Sequence, residues 1–172
     1  MDAAQIIDRL RPTPGVVAAL ASTLPPEDAR FKPPTGAWSI LEIVNHLADE
    51  DRDDFRFRLK ALLDGEPWPP NNPEQWAVER KYNEQDLAES LDRFARERAE
   101  SLRWLKSLNV PDWHVSYPHP RVGPVPAGDL LISWPAHDAL HIRQIAKRLF
   151  ELAAREGAPD GFNTKYAGEW GA

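Results

Sequence analysis

The sequence predicts an all-α protein: a four-helix bundle built as one domain across residues 1–172. Three observations carry that prediction. The chain has 17 prolines among its 172 residues, and they cluster so as to leave three stretches without any: Thr35–Glu66, Glu74–Val110 and Ala136–Ala158. Proline breaks a helix interior because it lacks an N–H and its ring clashes with the preceding turn, so these stretches are where long helices fit. Apolar residues inside them recur close to every 3.6 residues, and no segment shows the strict alternation of a half-buried strand.

The first helix is expected over Ala3–Leu10 and Pro14–Leu24, bent or broken at Pro12/Pro14. Ile6, Ile7, Leu10, Val17 and Leu20 form its apolar side. The second opens with Ser39-Ile40-Leu41-Glu42, a capping box in which the serine oxygen accepts from the backbone N–H of residue 42 and Glu42 reaches back to residue 39. Trp38 stands where a hydrophobic staple would sit. Ile40, Ile43/Val44, Leu47, Phe55, Leu59 and Leu62/Leu63 keep the period, and Asp64-Gly65 followed by Pro67 stops it, giving a helix over Ser39–Leu63.

A Pro-rich link, Glu66–Pro73, comes next, with Trp68 and Trp76 as anchors for a long loop. Asn83 is a candidate cap for the third helix, whose stripe is Leu87, Leu91, Phe94, Leu102, Leu105 and Leu108, and which ends at Asn109 and Pro111. The segment 111–127 fits a short hairpin or an ordered crossover loop. The fourth helix carries Leu130, Leu131, Trp134, Leu140, Ile145, Leu149 and Leu152 and ends near Glu156-Gly157. Pro135 either begins it or lies inside it; the stripe continues upstream, so a start near Asp129 with a kink at Pro135 is expected. Trp38 and Trp134 are expected to pack in the core.

Composition narrows the function classes. Hydrophobic residues are 42% and charged residues 28%, as in a globular domain. The 21 basic and 27 acidic residues give a net charge of −6, which disfavours a nucleic-acid or anionic-membrane partner. Apolar runs are only a few residues long, so no membrane span is expected, and Met1–Gln5 lacks the basic and apolar regions of a secretion signal. With no cysteine, the chain has no disulfide, thiolate metal site or thiol nucleophile of its own. These features together predict a cytoplasmic protein. The nine glycines form no phosphate-binding loop, and there is no GxSxG nucleophile elbow.

Five histidines remain to be placed. His137 and His141 are spaced i, i+4, one turn apart on one helical face, a spacing that lets one helix offer two ligands to a divalent ion. His46 lies beside Leu47 at the edge of the second helix's apolar stripe. If the second and fourth helices are neighbours, it can meet that pair. Three neutral imidazoles around one ion leave coordination positions open, as a catalytic or substrate-binding metal requires. The competing reading is that the pair arises from chance spacing and that His46 is a hydrogen-bonded core residue. The pair lacks the glutamate of HExxH, since Asp138 follows His137, so a peptidase of that type is not expected.

Asp49 and Glu50, three and four residues after His46, are candidates for an imidazole partner, a fourth ligand or a general base, with Glu50 the first choice. Most of Asp49–Asp54 is otherwise expected to be a solvated face with local ion pairs. Asp138 is expected to point elsewhere around its helix, Arg143 to serve the surface or packing, Gln144 to do the same or else to line the site, and His114 and His119 to lie at the surface.

Two segments carry a wider resemblance. Pro34–Asp49 (PTGAWSILEIVNHLAD) and His137–Ile145 (HDALHIRQI) resemble the second- and fourth-helix signatures of the DinB-like superfamily of damage-inducible, YfiT-type proteins. Thr13–Pro25 fits its first segment, and the likeness spans roughly residues 6–152. The resemblance implies an up-down-down-up bundle with a long connection between helices two and three. It also implies a divalent metal, zinc or nickel, on His46, His137 and His141, and a homodimer. Some members of that superfamily are thiol-dependent enzymes, such as mycothiol-dependent maleylpyruvate isomerase and bacillithiol transferases. The resemblance therefore implies a metal-dependent enzyme acting on a small molecule, either a hydrolase or an S-transferase using a low-molecular-weight thiol cosubstrate. The alternative is a non-catalytic metal-binding or stress-related protein of the same fold.

Overall fold

The computed structural model describes residues 1–68, 70, 72–120 and 122–170. Positions 69 and 71 of the Pro-rich link therefore lie outside the described residues. The first arm of the bundle is α1 (Ala3–Leu10) followed by α2 (Thr13–Ala21), with the break at Pro12 as expected. Asp2 caps α1 by accepting from the Gln5 backbone N–H. A single turn, α3 (Pro26–Ala29), leads towards the second arm.

That arm is α4 (Ile40–Asp49), a π-helical turn (Glu50–Phe55) and α5 (Arg56–Asp64), closed by Gly65 in the left-handed conformation at φ 76°. The capping box is formed: Ser39 Oγ accepts from the Glu42 N–H at 3.1 Å, and Glu42 Oε2 accepts from the Ser39 N–H at 2.8 Å. The uninterrupted helix expected over 39–63 is thus corrected in its middle. In the π turn the Arg56 N–H bonds the Asp51 carbonyl five residues back, and the wider turn shifts the phase of α5 relative to α4.

The link to the third arm holds α6 (Pro73–Glu79) and a 3₁₀ turn (Tyr82–Glu84). Trp68 anchors it as expected: its Nε1–H donates to the Arg58 carbonyl at 3.1 Å and its ring stacks on Tyr117 at 4.1 Å. The third arm is α7 (Leu87–Ser107), capped by Asp86, which accepts from the Glu89 N–H. Asn83 is not the cap. It sits in the preceding turn, where its side-chain oxygen accepts from Ser39 Oγ and its amide donates to the Arg30 carbonyl.

The crossover is a two-stranded antiparallel hairpin, β1 (Ser116–His119) with β2 (Gly123–Pro126), paired Ser116 to Pro126 and His119 to Gly123. His114 is exposed, but His119 is half-buried near Trp68 and Tyr117, a correction to its expected surface place. The fourth arm, α8 (Ala127–Gly157), runs through Pro135 and starts two residues earlier than expected. No helix among the described residues is long and apolar enough to cross a membrane.

All ten residues of α4 are buried, because α7 and α8 both pack against it and the link covers a further side. Two apolar clusters fill the bundle. One gathers Leu10, Phe55, Leu59, Leu105, Leu131 and Trp134; the other gathers Val17, Ile40, Ile43, Val44, Phe94 and Ile145.

An ionic cluster is buried with them. Arg98, 1% exposed, donates two bonds to Asp51 (2.7 and 2.8 Å), two to Asp138 (2.6 and 2.9 Å) and one to the Leu10 carbonyl (2.8 Å). Trp134 Nε1–H also donates to Asp51, and Thr13 Oγ–H to Asp138. This network joins all four arms. It also corrects the expected solvated face at Asp49–Asp54: Asp49, Glu50 and Asp51 are each buried. Asp49 accepts from Arg80, Arg93 and the Tyr82 hydroxyl instead of reaching the solvent.

Candidate metal centre

His46 projects from α4, and His137 and His141 from successive turns of α8, the helix packed beside it. Their Nε2 atoms form a triangle. His46 lies 3.1 Å from His141 and 3.4 Å from His137, and the two α8 nitrogens are 3.0 Å apart. His46 and His141 are buried and His137 is half-buried. The three residues singled out from the sequence are therefore brought together, at the junction of the two apolar clusters. Phe55 sets its ring edge against His137, and Trp38 lies 4.7 Å from His46 between ring centroids.

Hydrogen bonding among the rings cannot account for this triangle. A protonated ring nitrogen has no in-plane lone pair left to accept with, so three neutral imidazoles cannot satisfy all three contacts with one another. A cation at the centre can. Tetrahedral coordination with bonds of about 2.0–2.1 Å would hold the nitrogens about 3.3 Å apart, close to the observed spacing.

The electrostatics keep the rings in the ligating form. Burial, then the neighbouring imidazoles, pushes His46 down to about 2. Burial, His141 and Arg98 push His137 down to about 3, and burial lowers His141 as well. All three are neutral at pH 7 with lone pairs to give. His141 is oriented by Gln144, whose Oε1 is 2.8 Å from Nδ1. That partner puts the His141 proton on Nδ1 and leaves Nε2 free for a metal. Gln144 thus belongs to the site, the alternative to the surface or packing role expected first. Arg143 is exposed.

Glu50 is at the site too, 4% exposed. Its Oε1 is 3.7 Å from His46 Nδ1, and its Oε2 is 3.9 Å from His137 Nε2. Oε1 and His46 Nδ1 are both buried without a hydrogen-bond partner among the described residues. Burial, reinforced by the Asp54 carboxyl beside it, pushes Glu50 up to about 9, so it holds a proton at neutral pH. Asp49, the other carboxylate candidate, is taken up by its arginines and tyrosine rather than by the histidines. Asp138 points away from its neighbour His137, as expected, into the Arg98 cluster.

Arg98 has no place among the candidates the sequence offers. By anchoring Asp51 and Asp138, it fixes the residues that directly follow Glu50 and His137. One signal could have found it: Arg98 occupies the apolar-stripe position four residues after Phe94. The histidines open onto a cleft of about 1010 Å³, with Trp38 and Ile43 on its apolar side and Asn72 and Pro73 among its other lining residues. That volume is enough for a small organic substrate.

The chain is similar to known proteins in sequence and in fold. The family model of the DinB superfamily matches residues 9–145. A protein of Oceanobacillus iheyensis, provisionally named a metal-dependent hydrolase, is 26% identical over 119 residues, covering 66% of this chain and 68% of the relative. The solved structure of YfiT from Bacillus subtilis, described as a probable metal-dependent hydrolase with an unusual four-helix bundle topology, aligns with a TM-score of 0.78 at 18% identity. That alignment covers 88% of this chain and 87% of the other, and at such identity the likeness is one of fold.

Proposed function

This chain belongs to the DinB superfamily, and from that premise we propose that it is a metal-dependent enzyme acting on a small molecule, with zinc or nickel on His46, His137 and His141. The observation that carries the reading is the convergence of three neutral Nε2 atoms at the floor of an open cleft. Hydrolysis is the first reaction proposed, in keeping with what both relatives are named for. When bound, a divalent ion supplies a Lewis acid that makes water or a thiol nucleophilic near neutral pH.

The chain's own residues prepare the rest. Gln144 holds His141 in the ligating tautomer. Trp38 and Phe55 fix the rings by contact and exclude water from one side. Glu50 lies close to the ligating nitrogens, placed to exchange a proton with a group that reacts beside them. Transfer of an external thiol is the second reading: with no cysteine in the chain, the thiol has to arrive as a cosubstrate. We also propose that two copies associate, through a face that exposes Val16 and Ile132. Light scattering at twice the chain mass is the expected result.

The test is direct. Protein loaded with zinc or nickel, and the same protein after chelation, are assayed on a panel of nitrophenyl esters and amides. In parallel, low-molecular-weight thiols are offered with an electrophile such as chlorodinitrobenzene. Metal-dependent ester or amide cleavage supports hydrolysis, and metal-dependent loss of thiol and electrophile supports transfer. Stoichiometric metal with neither activity, together with a large fall in melting temperature on chelation, would favour a structural metal instead.

A further inference from the structure

Among the described residues two arginines are buried, and they are treated very differently. Arg98 is 1% exposed and donates five hydrogen bonds. Arg148 is 4% exposed, yet among the described residues its partner is Glu151 alone. Nη2 donates to Glu151 Oε1 at 3.1 Å, while Nε lies 3.0 Å from Oε2 without hydrogen-bond alignment. Nε and Nη1 are both buried with no hydrogen-bond partner among those residues. Leaving guanidinium donors buried and unused is costly, and a native protein keeps such a group where something else uses it.

Arg148 lines the same cleft as the three histidines. It lies on the same stripe of α8: positions 137, 141, 144 and 148 are spaced i, i+4, i+7 and i+11. Seven residues separate His141 from Arg148, a rise of about 10 Å along the helix. Lys147, exposed and without an ion pair among the described residues, lines that end of the cleft too. The carboxylate of the facing wall, Glu74, is exposed to solvent.

We propose that Arg148, assisted by Lys147, is the recognition site for an anionic group on the substrate. The substrate class is then a small organic anion, a carboxylate or a phosphate ester. Its apolar part lies along Trp38 and Ile43, and its charged end sits about two helical turns from the histidine cluster. This inference rests on the reading of the cleft as the substrate site. Arg148 makes no contact with the histidines; it sets specificity. Glu151 balances the charge of Arg148 but leaves Nε and Nη1 without a hydrogen-bond acceptor among the described residues, and an oxyanion supplies acceptors to a planar guanidinium better than a neutral amide does.

The test is titration calorimetry of the metal-loaded full chain with three probes: 4-phenylbutanoate, its uncharged amide, and 3-phenylpropyl phosphate. The expected result is that at least one anion binds about tenfold or more tightly than the amide. Arg148→Gln should abolish that preference while leaving amide affinity unchanged, and Lys147→Gln should reduce it by a smaller factor. The tighter of the two anions tells a carboxylate from a phosphate ligand. Repeated on chelated protein, the preference should persist, because the arginine and not the ion holds the anion.

Equal affinity for acid, phosphate and amide in the wild type overturns the inference even if Arg148→Gln does not fold. A preference that survives Arg148→Gln, or that disappears on chelation, assigns the anion to the ion and also overturns it. The metal content of the same samples separates the two ideas. One ion per chain without anion preference leaves the metal reading standing and removes this one. Anion preference in a protein that binds no metal does the reverse.

Discussion

Replacing Arg98 with methionine removes the cation from a buried cluster and leaves two carboxylates, Asp51 and Asp138, behind. Five hydrogen bonds go with it. Each carboxylate keeps one donor, Trp134 Nε1–H for Asp51 and Thr13 Oγ–H for Asp138. Breaking one buried ion pair costs about 3–5 kcal/mol, mainly because the remaining charge is stranded. Here one guanidinium serves two carboxylates, so the upper end applies, about 5 kcal/mol. At roughly 2–4 °C per kcal/mol for a chain of this size, the melting temperature should fall by about 10–20 °C.

The loss should also depend on pH. Burial pushes Asp51 up and Arg98 pulls it down, so removing the arginine leaves the upward push unopposed. A carboxyl whose folded-state pKa exceeds its unfolded value destabilises at high pH, and the penalty fades as pH falls towards the unfolded value near about 3.9. The stability gap between wild type and Arg98→Met, measured by urea denaturation, should therefore narrow from pH 8 to pH 5. Adding Asp51→Asn and Asp138→Asn, which keep acceptors for Trp134 and Thr13, should recover most of the loss at neutral pH. A gap under about 1 kcal/mol that does not change with pH would show that no buried charge is stranded, since such a charge cannot be that cheap.

Other consequences are simpler to check. His141→Ala should lower bound metal, counted by plasma emission, from one ion per chain to a small fraction, with the helical circular dichroism preserved. Gln144→Leu removes the acceptor that orients His141 and should weaken metal binding about 10–100-fold in a chelator competition, with little change in the metal-free melting temperature. Ser39→Ala removes the capping-box acceptor of α4 and should cost about 1 kcal/mol in urea denaturation. Metal at 100 times its dissociation constant should stabilise the fold by about 2.7 kcal/mol, lost again on chelation.

The arms of the bundle were legible because proline position and apolar period both report backbone geometry directly. Ser39 and Glu42 marked the start of α4, and Pro12 marked the break between α1 and α2. The π turn was not legible, since its i→i+5 bonding has no residue-type signature as strong as proline or glycine. Its neighbourhood was misread because a run of acidic residues usually faces water. Here Asp49, Glu50 and Asp51 diverge around a helix enclosed on several sides, and each finds a different buried environment.

A pattern in the stripes does encode the pairing of Arg98 with its carboxylates. Asp51 falls between Leu47 and Phe55, Arg98 between Phe94 and Leu102, and Asp138 between Trp134 and Ile145. Each is a charged residue where an apolar one is due, and the structure joins all three. The metal-ligand candidates were legible through the i, i+4 pair, but the approach of His46 depends on helix packing that no local pattern shows. Gln144 and Arg148 were harder still, because their roles come from what their side chains meet across a cleft.

The site as described requires three imidazoles to hold one ion. Crystals grown with zinc, and data collected above and below its absorption edge, test it most directly. One strong anomalous peak is expected between the Nε2 atoms of His46, His137 and His141, absent in His141→Ala. Well-ordered histidines with no anomalous peak among them would contradict it.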